Sequence, residues 1–157
     1  MVTPYTPPTI ADITKSSYAA ADALIAQIRA SIPPETSVIA ATLVNINSLE
    51  SSSPLGRLVT EQIAGRFVHS GYQVIEVKLR NQIYMKRNEG ELVLTREVRD
   101  IAKKHNAAVI VSGTYADGKD RVFVNLKVIR LEKNIVDAAY DYTLEKDELV
   151  RSLLTPG

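Results

Sequence analysis

Two histidines, His69 and His105, are the whole stock of imidazole in this chain, and cysteine is absent. Disulfides, thiolate metal sites and cysteine nucleophiles are therefore excluded. Each histidine falls in the last turn of an expected helix, where a cationic ring meets the helix C-terminal dipole favourably. No second ligand stands at metal-binding spacing on the same face, so both read as structural. The stretch Ser51-Ser-Ser-Pro-Leu-Gly56 opens a helix, and helix N-termini can bind anions. It lacks the lysine and glycine spacing of a P-loop and the G-x-G-x-x-G of a dinucleotide site. Ser53 followed by Pro54 instead reads as an N-cap and a first-turn proline, which accounts for the serines without a ligand.

The remaining polar groups sort by where they fall. Arg96, Glu97, Arg99, Asp100, Lys103 and Lys104 mix both signs on one short helix, the pattern of a solvated face. In an open α/β sheet ligands bind beyond the carboxyl ends of parallel strands. Those ends are Asn45 to Asn47, Lys78 to Arg80 and Gly113 to Tyr115. A polar strand face carries Arg121, Phe123, Asn125 and Lys127 beside Asp137 and Asp141. Mixed signs argue against a phosphate-binding groove, which would interleave basic and stacking aromatic residues. The candidate interaction surface is therefore Asn45, Asn47, Arg80, Thr114, Tyr115, Phe123, Asn125 and Lys127. No catalytic, cofactor-binding or metal-binding residue is assigned, and no cofactor is expected.

The totals set the frame. The chain of 157 residues is 45% hydrophobic and 24% charged, with a formal net charge of +1. Such a length fits one domain. The balanced charge gives no general attraction to nucleic acid, so no nucleic-acid partner is expected. No apolar run approaches the roughly 20 residues that span a bilayer. Residues 1–15, with Pro4, Pro7 and Pro8 among threonines, read as a leader or tether. Residues 16–157 read as a single domain.

Within it, a helix capped by Ser16 or Ser17 carries Tyr18, Ala21, Leu24, Ile25, Ile28 and Ile32 as one stripe, stopped at Pro33-Pro34. Ser37 to Val44 is apolar on both alternations, as a strand buried on both faces is. The helix from Pro54 buries Leu55, Leu58, Val59, Gln62, Ile63 and Phe67, ends at Gly71, and leads straight into a strand over Gln73 to Val77. This is a βαβ unit. Ile83 to Lys86 is a short strand or a pinned apolar stretch, with a turn at Asn88-Glu-Gly90. A helix over Arg96 to Lys104, capped by Thr95, and a strand from Ala107 complete a second βαβ unit. Arg121 to Leu131 and Ile135 to Tyr142 then alternate, with Val136, Ala138, Tyr140 and Tyr142 on one side. That is the pattern of antiparallel strands with one wet face. Lys146 to Leu154 closes the chain as a helix. The expected fold is α/β, a single domain of order αβαβαβββα. Its mixed sheet holds three parallel strands plus antiparallel hairpins, with helices mainly on one face or a partner meeting the other.

Several collinear stretches resemble the FlgO family of flagellar outer-membrane proteins. They include Ser17-Tyr-Ala-Ala-Ala-Asp-Ala-Leu24, Ala41-Thr-Leu-Val-Asn-Ile46, Ser52-Ser-Pro-Leu-Gly-Arg-Leu58 and Glu61-Gln-Ile63. Gly71 to Arg80, Thr95 to Ala102, Val111 to Tyr115 and Val122 to Leu126 continue the match. The resemblance implies an exported, non-enzymatic interaction protein on the periplasmic side of a Gram-negative outer membrane, linked to flagellar motility or outer-membrane assembly. It also implies an anticodon-binding-domain-like α/β fold, similar to the N-terminal domain of TolB and to curli-secretion proteins. Envelope or flagellar proteins are the partners it implies, with homo-oligomerisation open. A lipid anchor of that family needs an N-terminal cysteine, so the membrane link is expected through a removed segment upstream of Val2. The competing classes are a nucleic-acid or small-ligand binding module, and an enzyme acting at the strand ends.

Overall fold

Helix α1 (Ile13–Ile28) starts earlier than the serines suggest, because Asp12 is its cap and its side chain accepts from the Lys15 amide at 2.9 Å. Ser17 cannot cap, since it lies fully buried inside the helix. The buried stripe is Ile13, Ser17, Ala20, Ala21, Leu24, Ile25 and Ile28, while Tyr18 turns outward. The helix ends before Pro33, and Ile32 is buried in the turn that follows. The computed structural model describes residues 12–49, 51–76, 85–88, 91–94 and 96–155.

The expected strand over Ser37 to Val44 is real but interrupted. It forms β1 (Ser37–Ala40) and β2 (Val44–Asn45), both parallel to β6 (Val109–Asp117). Ala40 pairs with Val111 and Val44 with Thr114, so one extra residue sits on the β1–β2 side. This is a bulge in a parallel pair. Helix α2 (Pro54–His69) follows, capped by Ser53 with Pro54 at its first position. Gly71, at φ +98°, takes the left-handed turn that only glycine accepts easily and delivers the chain to β3 (Gln73–Glu76).

A short hairpin of β4 (Met85–Asn88) and β5 (Glu91–Leu94) forms its own two-stranded sheet. Met85 and Lys86 thus belong to a strand; Ile83, Tyr84 and the turn residues Glu89 and Gly90 lie outside the described residues, as does the expected cap Thr95. Helix α3 (Arg96–His105) precedes β6, with Asn106 at φ +53° ending it. Strands β7 (Arg121–Arg130) and β8 (Ile135–Glu145) then run antiparallel, and α4 (Glu148–Leu154) is capped by Asp147. The main sheet is mixed, six-stranded and ordered β3-β1-β6-β7-β8, with β2 beside β6. The expected element order is recovered, with the bulge and the small hairpin as additions.

Two apolar layers flank this sheet. On one face α1, α2 and α4 bury Leu24, Ile28, Leu55, Val59, Ile63, Phe67 and Val150 against Val38, Val109, Val111, Val124 and Leu126. On the other, α3 brings Val98 and Ala102 onto Ile39, Ala41 and Ile110. The second face is therefore covered at its β1–β6 end, which accounts for Ile129 being only partly exposed there. One strand alternation needs correcting. A register shift at Val128/Ile129 pairs Val136 with Ile129, which takes Val136 off the face of Ala138, Tyr140 and Tyr142 and leaves it 48% exposed. Asp137 falls in that irregularity and its carboxylate accepts from Arg130 Nε at 2.9 Å, so it does not join the polar face.

Burial of hydroxyls between α1 and β8 has a consequence in alkali. Ser17 Oγ and Tyr142 Oη are both buried and neither meets a partner in hydrogen-bonding geometry. Burial pushes the Tyr142 phenol from 10.0 up to about 12, and the nearby Ser17 hydroxyl offsets only part of that rise. Below pH 10 the phenol is neutral in both states and has no effect. Above it the unfolded chain loses the proton first, so stability falls with rising pH until the folded phenol also ionises near 12. We expect Tyr142→Phe to remove a loss on the order of 2–3 kcal/mol across that window. Tyr72 and Tyr115 are also raised and leave a residual slope. Urea midpoints at stepped pH check this; an unchanged slope in the variant would sink the assignment.

Candidate functional site

The bulge between β1 and β2 needs partners for a displaced peptide, and the start of α2 supplies them. The Leu43 amide donates to Thr60 Oγ1 at 2.9 Å, and the Leu43 carbonyl accepts from Ser52 Oγ at 2.5 Å. Thr60 Oγ1 in turn donates to the Gly56 carbonyl at 2.7 Å. Ser52, Gly56 and Thr60 recur at a spacing of four, which places them on one side of the α2 entry. Gly56 has no room for a side chain, because a Cβ there would stand 2.7 Å from the Leu43 oxygen and 3.3 Å from the Tyr115 ring. Sequence reasoning assigned the serines to capping; only Ser53 caps, accepting from the Gly56 amide at 3.2 Å. Ser52 is a clasp on the strand. The spacing-four line of small polar residues was the available signal.

The clasp sets the carboxyl end of the parallel strands. Tyr115 lies beneath the α2 entry at 3% exposure, with its phenol raised by burial and partly lowered by the Ser53 hydroxyl. Asn45 pairs across from Tyr115, and its side-chain oxygen accepts from the Asn47 amide at 2.9 Å, closing the turn after β2. Thr114 sits opposite Val44 and points to the other face, at 7% exposure. Asn45 and Asn47 therefore shape a turn, Tyr115 supports it from within, and Thr114 belongs to a different surface. Arg80 lies outside the described residues.

That different surface is the polar face of β6, β7 and β8. Cross-strand register aligns Thr114, Asn125 and Asp141 in one row, Ser112, Lys127 and Ala139 in the next, and Ala116, Phe123 and Thr143 in a third. Phe123 is 48% exposed. Ile46, which follows Asn45 and donates its amide to the Tyr115 carbonyl, is 38% exposed beside the Ala116 row. Thr114, Phe123, Asn125 and Lys127 are thus brought together, and Ile46 is the member that sequence reasoning missed. Its position, one residue past β2 and so downstream of the bulge, decides its face, and the bulge was not visible in the apolar run.

The charge arrangement around this end is local. Lys146 Nζ meets Asp117 Oδ1 at 2.6 Å and the Gly118 carbonyl at 3.0 Å, tying the β6–β7 turn to the end of β8. On the opposite face Arg66 grips Asp22 with two bonds of 2.8 and 3.1 Å and lies 5.1 Å over the Tyr18 ring. Bonding to that guanidinium holds the Asp22 carboxyl below the usual range. Among the described residues no three His, Cys, Asp or Glu side chains are grouped to hold a metal ion. An open depression of about 690 Å³ lies at the opposite end of the sheet, lined by Glu35, Thr36, His105, Asn106, Arg130 and Glu132 among others. It adjoins the amino ends of β1 and β6, the side where α/β sheets do not usually bind ligands.

A protein-family model described as FlgO protein matches residues 18–149. No curated protein matches the sequence. Among solved structures, the LpoB C-terminal domain from Salmonella enterica is similar, with a TM-score of 0.55 and 10% identity over 81% of this chain and 96% of that one. The NMR structure of E. coli LpoB gives a TM-score of 0.52 at 9% identity, over 92% of this chain and 75% of that one. At such identities the likeness is one of fold. It does not bear on the implied similarity to TolB and curli-secretion domains.

The clasp is testable by itself. Thr60→Val keeps the shape of the side chain but strands the part-buried Leu43 amide, and we expect a loss of about 1–3 kcal/mol in urea unfolding. Thr60→Ser retains the hydroxyl and should recover most of that. Equal stability of the valine and serine variants would show that the hydroxyl contributes nothing.

Proposed function

Because the chain belongs to the FlgO protein family, we propose that it is a non-enzymatic protein of the cell envelope that acts by binding other proteins. The family match across residues 18–149 carries this reading, since it spans nearly all of the described domain. The fold likeness to LpoB domains is compatible with it and adds nothing about partners. The site geometry supports a binding role in a second way. The groups gathered at the strand ends are engaged in holding the backbone: Ser52, Thr60 and Asn45 all bond to main-chain atoms. Among the described residues, none of these groups stands as a nucleophile beside a base.

The proposed contact surface is the part of the β6–β8 face that α3 leaves bare. Phe123 and Ile46 supply exposed apolar area there, and Asn125, Lys127 and Asp141 surround it. Exposed apolar side chains rimmed by polar ones are the composition of an interaction patch. Thr114 lies in the same row of this face as Asn125 and Asp141, Tyr115 backs the strand from the opposite face, and Asn47 borders the patch. The finer reading places the protein on the periplasmic side of the outer membrane, through an anchor preceding the domain, in service of motility or outer-membrane assembly. No helix among the described residues is long and apolar enough to cross a membrane.

Fractionation of native cells tests this reading, followed by affinity capture with the wild-type protein and a Phe123→Glu variant. We expect recovery in the outer-membrane fraction, with envelope proteins captured by the wild type and lost from the variant. Recovery in the cytosol would overturn the envelope reading. Identical capture by both proteins would overturn the surface.

A further inference from the structure

Strand β8 ends the main sheet, and its outward backbone groups are unevenly sealed. At Ala139 both are taken: the amide donates to Gln27 Oε1 at 3.2 Å and the carbonyl accepts from Gln27 Nε2 at 3.0 Å. Gln27 therefore acts as a short stand-in for a neighbouring strand. Because outward groups recur every second residue along a strand, Asp141 and Thr143 present the same N–H and C=O pairs beyond it, and Glu145 presents its N–H alone, its carbonyl accepting from the Asp147 amide at 2.9 Å. Their side chains are exposed on the polar face, and among the described residues neither carboxylate is in an ion pair. An open edge of this kind is a template for strand addition.

We propose that the edge from Asp141 to Glu145 accepts an added antiparallel strand from a partner that carries Lys or Arg at two positions four residues apart. Charge decides the occupant. A second copy of β8 related by a two-fold axis at Asp141, Thr143 or Glu145 sets carboxylate opposite carboxylate, and an axis at Leu144 sets Asp141 opposite Asp147. An axis at Tyr142 sets Asp141 opposite Thr143 and stops there, because the next pair needs Ala139, which Gln27 already holds, and the Glu145 carbonyl, which the Asp147 amide holds. Like charges directly opposite are destabilising across a strand pair, so charge disfavours a second copy in four of these registers, and the sealed Ala139 cuts the ladder short in the one at Tyr142. The chain's own first eleven residues hold no Lys or Arg and include Pro4, Pro7 and Pro8, so they match neither the charge nor the hydrogen-bond pattern. A partner strand with cations opposite Asp141 and Glu145 and a small residue opposite Thr143 satisfies both. Gln27 fixes where its pairing must stop. This proposal rests on strand geometry and is independent of where in the cell the protein acts.

The test uses the purified chain and two synthetic peptides, Val-Lys-Val-Thr-Val-Lys-Val and its counterpart with Glu in place of Lys, titrated with amide exchange as the readout. We expect the lysine peptide to bind about tenfold or more tighter, to weaken as salt rises, and to protect the amides of Asp141 and Thr143. The double variant Asp141→Lys/Glu145→Lys should reverse the preference. Thr143→Pro removes an outward N–H without breaking a ladder bond, so it should abolish binding of either peptide while the sheet persists. If the proline variant does not fold, the charge-reversal pair decides alone. Equal affinity for the two peptides, no binding by either, or no protection at Asp141 and Thr143 overturns the proposal. So does self-association of the peptide-free chain that protects those amides, which would make a second copy the occupant.

Discussion

One displaced peptide group, that of Leu43, governs how the domain is assembled. A bulge in a parallel pair takes a residue out of the ladder, and buried backbone groups without partners are costly. Here Thr60 and Ser52 replace the lost bonds, and both belong to the entry of α2. The bulge therefore exists only when α2 is docked in one position, and α2 docks closely only because Gly56 lacks a side chain. From that contact the rest follows. Tyr115 is closed over, and the turn through Asn45 and Asn47 is set at the rim. Residues beyond the bulge change face, so that Val44 joins Thr114 and Ile46 is turned toward the polar surface.

The covering of the sheet is uneven for a related reason. Helices α1 and α2 share one face of the sheet, with the small residues Ala20 and Ala21 buried in their common core, and Arg66 with Asp22 closes their outer seam. That seam is exposed, so it adds orientation more than stability. Among the described residues the opposite face is packed by α3, whose apolar residues Val98, Ile101 and Ala102 cover the β1–β6 end. Strands β7 and β8 respond with alternation: Val122, Val124, Leu126 and Val128 are buried inward, and Arg121, Phe123, Asn125 and Lys127 are left outward. Among the described residues, the polar surface is thus what α3 leaves uncovered.

The helices and the last strands were legible in the sequence because periodicity and caps agree there. Ser53-Pro54, Gly71 and the Val122–Val128 alternation each name one structure. Other features were hidden for definite reasons. Asp12 outcompeted Ser16 and Ser17 because Ile13 already belongs to the buried stripe, which extends the helix beyond the alanine-rich run. The bulge was illegible because a strand buried on both faces shows no alternation to break. Asp137 and Val136 were misplaced because a register shift reverses side-chain direction without leaving a mark in composition. Of the candidate surface, Phe123, Asn125 and Lys127 could be grouped by alternation alone. Tyr115 and Asn45 could not be assigned to the other face until the pairing with β2 was known.

Sheet ends show where this domain invests in closure. An unpaired edge invites further strands, and proteins blunt it with charge, short length or a covering element. At Ala139 the domain uses a side chain from α1, and that single glutamine satisfies a donor and an acceptor together. Such a bond is worth only about 1 kcal/mol net against water, so stability alone does not explain why one position is sealed and the next ones are not. Like charge offers the better account. Asp141 and Glu145 repel an identical strand without covering the backbone, which discourages self-pairing while leaving the edge open to a chain of opposite charge. Sealing by glutamine where α1 can reach and by carboxylates where it cannot gives an edge that is closed to copies of itself and selective toward others.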